Sequence, residues 1–343
     1  MTISPVRIGP SVLARAWIVY LILGILVVAA YFVAIDPNLQ DAAYNLCGAS
    51  AVGAMFIGAW LWRPERLRAW MLLAVGVALQ SLGDVMLSFL TSSDGIEPFP
   101  SAADVPYLAG YVLIAFGLVE LVRAGNREHD RTAWVDALIV AAAAAIFIWV
   151  LVIRDEIASS ADIPTALVAA AYPFFDIVQI AVVAHLILGG RRTPAVILLG
   201  AGFAASLVAD LAYAVLSLQG AYHIGQLVDA GWLLGYLALG AAALHPSMAT
   251  SAAGPPAESA EHATVTRRRL LLLAGGATTG PLVIAFQALR GEPPDTFAIA
   301  IGLSVVYLLV LGAWSWASTL SRTHSANGAT WPQSSPLRRP MIH

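Results

Sequence analysis

Residues 69–90 read AWMLLAVGVALQSLGDVMLSFL, an apolar block of 22 residues with a single charged side chain, Asp84. A helix of that length rises about 33 Å, which is enough to cross the hydrocarbon core of a bilayer. The whole chain is similar: 59% of its 343 residues are hydrophobic and 11% are charged, whereas soluble domains carry about 25% charged residues. The composition therefore argues against a soluble fold and predicts an all-α, polytopic integral membrane protein.

Apolar blocks of this kind follow one another along the chain, and we expect about ten transmembrane helices. They cover residues 17–35, 42–62, 69–90, 104–122, 133–153, 164–188, 194–218, 226–244, 270–289 and 296–317. The first block follows two arginines, as in a signal peptide, but it is too long for the apolar core of one. We expect it to be retained as the first helix.

The placement of arginine predicts the orientation of these helices. The chain has no lysine, and sixteen of its eighteen basic residues lie at the termini or in alternate connecting segments. The other connecting segments hold only Arg154 and Arg290. Because basic residues concentrate in cytoplasmic loops, this pattern predicts a multi-pass protein of the plasma membrane with both termini in the cytoplasm.

An internal repeat relates helices three and four to helices seven and eight. Asp84 recurs 126 residues later as Asp210. At a spacing of 125 residues, Asp104, Tyr107, Gly110 and Tyr111 recur as Asp229, Trp232, Gly235 and Tyr236. An even number of helices in each unit keeps the two units parallel. We therefore predict two parallel four-helix repeats, at 17–123 and 124–245, followed by a final helix pair at 267–319.

The remaining segments are short and polar. Residues 1–16 form a cytoplasmic tail, 246–266 a flexible linker and 320–343 a disordered tail in this prediction. None of them can hold an enzyme domain, and the chain has no zinc-protease, nucleophile-elbow, paired-cysteine or phosphate-loop motif. We expect no catalysis, no cofactor, no metal site and no nucleic-acid binding.

Ionisable residues inside transmembrane helices are costly and mark candidate sites. Several acidic and aromatic side chains cluster toward one end of the predicted helices. The candidate ligand-binding residues are Asp84, Asp210, Asp176, Tyr172, Tyr107, Tyr111, Asp229, Trp232 and Tyr236. Together they predict an outward-facing polar cavity suited to a cation, an amine, a hydrated metal ion or a proton.

Structural alternatives apply to the same residues. Asp104 follows Ser101 by three positions, which is a helix-capping pattern, and Asp229 is placed to interact with the dipole at the start of a helix. Asp84 and Asp210 could equally hold the bundle together by bonding hydroxyl groups across helices. We expect His185 to be a packing residue, whereas the loop residue His223 could join the cavity.

Several short motifs resemble a known membrane region. They are YNLCGASA at 44–51, GD at 83–84, FPSAADVPYLAGY at 99–111, WVDAL at 134–138, AYPFFD at 171–176, ADLAY at 209–213 and QALRG at 287–291. They are similar to the multi-helix sensor region of actinobacterial GGDEF and EAL proteins, which make and break cyclic di-GMP. The resemblance covers residues 15–318 and implies a membrane input domain without the catalytic module.

Three function classes follow. The leading expectation is a sensory, signal-input membrane protein that binds a small ligand and acts on a separate cytoplasmic GGDEF- or EAL-type output protein. The alternatives are a secondary transporter of a cation or small amine, and a structural scaffold subunit. Small exporters with inverted five-helix halves would pair helix three with helix eight, whereas here it pairs with helix seven. The oligomeric state, including a homodimer, is left open.

Overall fold

The computed structural model describes residues 14–91, 98–123, 127–160, 162–188, 193–250, 267–291 and 293–311, and this part of the chain is helical without strands. Its helices are α1 (Ala16–Val33), α2 (Pro37–Trp62), α3 (Leu67–Leu90), α4 (Asp104–Val122), α5 (Arg127–Ile148), α6 (Ile163–Leu188), α7 (Pro194–Leu218), α8 (Asp229–Leu244), α9 (Arg267–Leu289) and α10 (Thr296–Leu311). Helix α5 continues through a π-helical turn, Trp149–Ile153, into Arg154–Ser159. Each predicted apolar block overlaps one of these helices, and residues 312–317 of the last block lie outside the described residues.

The helices begin where the sequence supplies a cap. Proline is the first residue of both α2 and α7, where its missing N–H costs nothing. Asp36 Oδ1 accepts from the N–H of Asn38 at 2.9 Å before α2, and Asp162 Oδ1 accepts from the N–H of Thr165 at 2.9 Å before α6. The second bond stabilises the charged carboxylate and lowers the pKa of Asp162, which lies outside the apolar part of the helix.

The surface of the bundle is apolar in the way that a bilayer requires. Among the residues that the structure describes, seven helical segments are long and apolar enough to cross a membrane: α1 to α4, Trp134–Ser159 (the second part of α5 with its continuation), α6 and α7. Helices α8 and α10 are apolar but shorter. On α1, the side chains of Ile22, Leu23 and Leu26 are all exposed. Such a continuous apolar surface would be a liability in water. The fold is that of a helical membrane protein, as the composition predicts.

Two helix pairs pack closely through glycine. In the pair α3–α4, a Cβ atom on Gly110 would lie 2.8 Å from the carbonyl oxygen of Gly76. In the pair α7–α8, a Cβ atom on Gly202 would lie 3.1 Å from the carbonyl oxygen of Gly235. Small residues let backbones approach in this way where no hydrophobic force drives helices together. Each pair also packs against one further helix: α4 packs against α6, and α8 packs against α2.

At the opposite end of the bundle from the start of α8, short polar links join the helices. The indole Nε1 of Trp62 donates to the carbonyl of Leu244 at 3.0 Å, and Ser247 Oγ accepts from the N–H of Ala195 at 2.9 Å. The segment expected to be a flexible linker therefore starts with an ordered 3₁₀ turn, Pro246–Met248, in which Met248 is fully buried. Residues 251–266 of that segment lie outside the described residues.

The contact between α2 and α8 can be tested with two glycines of the same helix. A Cβ atom on Gly58 would clash with the backbone carbonyl of Ala243, whereas one on Gly53 would meet nothing within 4 Å. We expect Gly58→Ala to reduce the free energy of unfolding by about 1–3 kcal/mol through overpacking. The control Gly53→Ala should be neutral or slightly stabilising. Thermal unfolding in detergent measures both, and equal stability of the two variants would contradict the predicted contact.

Candidate functional site

The described helices surround a large, partly open cavity of about 1000 Å³, lined by residues of α1, α2, α3, α4, α6, α7 and α8 and by Val152 of the π-helical turn. All nine predicted ligand-binding residues lie on its wall: Asp84, Asp210, Asp176, Tyr172, Tyr107, Tyr111, Asp229, Trp232 and Tyr236. Asp41, Asp104 and His223 line it as well. The structure therefore brings the predicted residues together, while their role in binding remains a prediction.

Asp84 accepts hydrogen bonds from two different helices. Tyr107 of α4 donates its hydroxyl to Oδ1 at 2.8 Å, and Tyr236 of α8 donates to Oδ2 at 2.5 Å. The first bond stays within the pair α3–α4, and the second reaches across the cavity to the pair α7–α8. Asp84 thus joins the two helix pairs through one carboxylate.

Asp210 of α7 likewise accepts hydrogen bonds from two different helices. Trp232 of α8 donates its indole N–H to Oδ1 at 2.7 Å, and Tyr111 of α4 donates its hydroxyl to Oδ2 at 3.1 Å. The two pairs thus exchange donors: each aspartate accepts one bond from its own partner helix and one from the other pair. The donors are the residues that the sequence matches at a spacing of 125.

Asp176, in the middle of α6, completes this part of the wall. Its carboxyl group is buried and lies in hydrogen-bonding reach of both Asp210 and the Tyr111 hydroxyl. One turn earlier, Pro173 has no N–H to donate to the carbonyl of Ala169, and both residues line the cavity. The wall near α6 therefore offers several acceptors close together.

Asp104 and Asp229 are the first residues of α4 and α8, and their carboxylates accept hydrogen bonds that fix the positions of these helix ends. Asp104 Oδ2 accepts from the N–H of Ser101 at 2.5 Å, and Ser101 Oγ accepts from the N–H of Ala103 at 3.2 Å. Only the first of these bonds belongs to the predicted Ser-x-x-Asp capping box, because α4 begins at Asp104 itself and its N-cap residue is Ala103. Tyr172 also donates its hydroxyl to Asp104 Oδ1 at 2.5 Å. This bond ties α6 to the start of α4.

Asp229 is held by three donors. It accepts from the hydroxyl of Tyr31 at 2.5 Å, from the hydroxyl of Tyr222 at 2.9 Å and from the N–H of Gly225 at 2.7 Å. Gly225 has φ +91°, a backbone conformation that favours glycine. The structural and ligand interpretations are thus compatible, because the same carboxylates that join helices also face the cavity.

The cavity wall is strongly acidic. Six aspartates line it (Asp41, Asp84, Asp104, Asp176, Asp210 and Asp229), and the described residues of the wall include no arginine. The donors that reach these carboxylates are tyrosine hydroxyls, one indole and backbone N–H groups, which are all uncharged. In a low-dielectric interior, a group of carboxylates attracts a cation or a proton.

Some wall residues were not predicted from the sequence. Tyr31, Tyr44 and Tyr222 belong to the cavity, and Tyr31 bonds Asp229 across 198 residues of sequence. No local spacing indicates such a pair. His185 stacks on Trp134 with ring centroids 4.2 Å apart, which confirms its predicted packing role. In the described part of the chain, no group of three histidine, cysteine or acidic side chains has the arrangement of a metal site.

Comparison with known proteins adds no relative. The sequence matches no protein-family model, and it has no significant similarity to a curated protein or to a solved structure. The resemblance to the sensor region of GGDEF and EAL proteins is therefore still an expectation from short motifs.

The exchange of donors predicts a specific pattern of energetic coupling. In double-mutant cycles, Tyr236→Phe should couple to Asp84→Asn, and Tyr111→Phe should couple to Asp210→Asn, each by about 0.5–3 kcal/mol. Each single Tyr→Phe change should itself cost about 1.5–3 kcal/mol, because it removes a bond to a charged group. Unfolding in detergent gives the free energies.

The control cycle combines the change of one tyrosine with the change of the aspartate to which it does not donate. Tyr236→Phe with Asp210→Asn should couple more weakly than the bonded pairs, because these side chains interact electrostatically without a direct hydrogen bond in the described structure. Stronger coupling in the crossed pair than in the bonded pair would contradict the exchange.

Proposed function

We propose that this protein is a membrane-embedded sensory protein that binds a small organic cation in the acidic, aromatic cavity. The observation that carries this proposal is the wall itself, with six aspartates, uncharged donors and no arginine among its described residues. A cavity of about 1000 Å³ is large for an inorganic ion and lies at the upper end of ligand pockets. Tyrosine and tryptophan rings beside carboxylates are the surroundings that ammonium groups prefer.

The topology in this proposal is ten membrane-spanning helices, with two parallel four-helix repeats and a final pair. The reciprocal glycine contacts of α3–α4 and α7–α8 support the repeat, as does the exchange of donors between Asp84 and Asp210. The packing of α4 on α6 and of α8 on α2 relates the two units in the same way. Arginine placement supports a plasma-membrane protein with both termini in the cytoplasm and the cavity mouth outside.

Signal transfer would begin at the shared hydrogen bonds. A cation that binds Asp84 or Asp210 competes with the hydroxyls of Tyr236 and Tyr111, which join the two helix pairs. A ligand that favours one arrangement of these bonds shifts the helices toward it. Helix α8 is suited to relay the shift, because it begins at the cavity and its last carbonyl, Leu244, is bonded to Trp62 at the opposite end.

The output of the sensor would be cytoplasmic. The resemblance to GGDEF and EAL input regions supports a separate output protein of that type as partner, so that the signal reaches cyclic di-GMP metabolism. In this proposal the chain itself is not an enzyme. Its own partners are the bilayer and the ligand, and a homodimer stays open.

A secondary transporter of a cation or small amine is the second candidate, and the pair Asp176–Asp210 favours it. Two carboxyl groups within hydrogen-bonding reach tend to share one proton. Intramembrane carboxyl clusters of this kind are typical of proton-coupled transport. A scaffold subunit, by contrast, would tolerate the loss of either charge.

Equilibrium binding of tetramethylammonium to the purified protein in lipid nanodiscs tests the cation site. We expect Asp84→Asn and Asp210→Asn each to weaken binding about tenfold or more, because each removes a charge from the wall. Asp36→Asn is the matched control: Asp36 is exposed outside the cavity, and asparagine caps a helix as well as aspartate.

Proteoliposomes then separate the candidate functions. A sensor binds tetramethylammonium without moving it, and a transporter shows uptake that both substitutions abolish. Equal affinity of the two cavity variants and the unaltered protein would contradict the proposed site and favour a scaffold.

Cysteine labelling tests the orientation. The only cysteine, Cys47, is buried, so Cys47→Ser gives a background without a thiol. In that background we expect Asn38→Cys to react with a membrane-impermeant maleimide on intact cells, because residue 38 is exposed at the end where the cavity opens. Glu65→Cys should react only after permeabilisation. The reverse pattern would invert the topology.

A further inference from the structure

Beyond the aspartates, toward the end of the bundle where α6 ends and α7 begins, the cavity continues as a compartment with apolar walls. Between α6 and α7 its wall is formed by Ile180, Val183 and Ile187 on one helix and by Phe203, Ala204 and Leu207 on the other. No acidic or basic side chain is among these six residues. The acidic and apolar parts belong to one continuous cavity.

Helical spacing aligns the compartment with the carboxyl pair. On α6, Ile180, Val183 and Ile187 follow Asp176 by four, seven and eleven residues, which places them on its face of the helix. On α7, Leu207 and Phe203 precede Asp210 by three and seven residues and share its face. Each helix therefore presents an acidic group followed by an apolar strip.

At the far end of the compartment, α6 and α7 come into close contact. A Cβ atom on Gly200 would lie 2.9 Å from Cδ1 of Ile187 and 3.3 Å from Cγ1 of Val183, so α6 and α7 touch there. From Asp210 to Gly200 the helix rises about 15 Å. The apolar part of the wall therefore runs from the two carboxyl groups to this contact, over about the length of a medium hydrocarbon chain.

We infer that the ligand is an amphiphilic cation, with its ammonium group at Asp176 and Asp210 and its hydrocarbon tail in the compartment between α6 and α7. This inference rests on the proposed cation site and specifies its ligand class. A fully hydrated ion or a small polar amine would leave the apolar strip unfilled. An uncharged lipid would leave the carboxyl groups without a counter-charge.

The test is a chain-length series in lipid nanodiscs: tetramethylammonium, butyltrimethylammonium and octyltrimethylammonium, with empty nanodiscs to subtract partition into lipid. Burial of each methylene contributes about fourfold in affinity. We therefore expect the octyl compound to bind about 200-fold more tightly than the butyl compound. This comparison uses the unaltered protein and does not depend on the folding of any variant.

Two variants of α7 locate the tail. Ala204→Phe adds a bulky side chain to the wall of the compartment and should remove the gain from butyl to octyl. Val208→Phe is the control, since Val208 is exposed on α7 and is not part of the cavity wall. It should keep the full gain.

The outcomes separate the two proposals. If tetramethylammonium binds and the octyl and butyl compounds bind equally, the apolar compartment holds no tail and the inference fails, while the cation site stands. If Ala204→Phe keeps the gain, the tail lies elsewhere and the inference also fails. If none of the three compounds binds, both the cation site and the inference are overturned.

Discussion

A carboxylate inside an apolar bundle must be supplied with hydrogen-bond donors, and the arrangement of this protein depends on how that need is met. An unpaired charge in such surroundings costs many kcal/mol. Asp84 and Asp210 meet the requirement with aromatic donors from two helices each, one of them from the opposite helix pair. The four helices that supply these groups are thereby held in one relative position, and with α1, α2 and α6 they form the wall of the cavity.

The donors also explain why the site remains acidic. Arginine would have satisfied the same carboxylates more strongly, but it would have neutralised them. Tyrosine hydroxyls and an indole satisfy lone pairs without adding positive charge. A wall built in this way keeps its attraction for an incoming cation, so the groups that hold the bundle together and the groups that face a ligand are the same.

Much of the fold and part of the site can be predicted from the sequence, because both depend on local patterns. Apolar blocks predict the helices, and the spacing i, i+3, i+7 at Asp104, Tyr107 and Tyr111 predicts a shared face that the cavity does contain. The bond from Tyr31 to Asp229 was not predictable, since the two residues are 198 positions apart and neither belongs to a pattern that includes the other. The ordered turn at Pro246–Met248 was also missed, because its proline and serine resemble a linker while Met248 packs into the core.

The position of α8 has a consequence for the order of assembly. Helix α1 packs against α8: Leu237 contacts the backbone near Gly24, Tyr20 lies against Gly240, and Tyr31 bonds Asp229. These contacts join segments about 200 residues apart. Until α8 has been synthesised, α1 packs against α2, where Tyr20 lies 3.2 Å from the hydroxyl of Ser50. Contacts of high sequence separation form late and slowly. The face of α1 that α8 covers is thus among the last surfaces of the bundle to be buried, and until then it is covered by lipid.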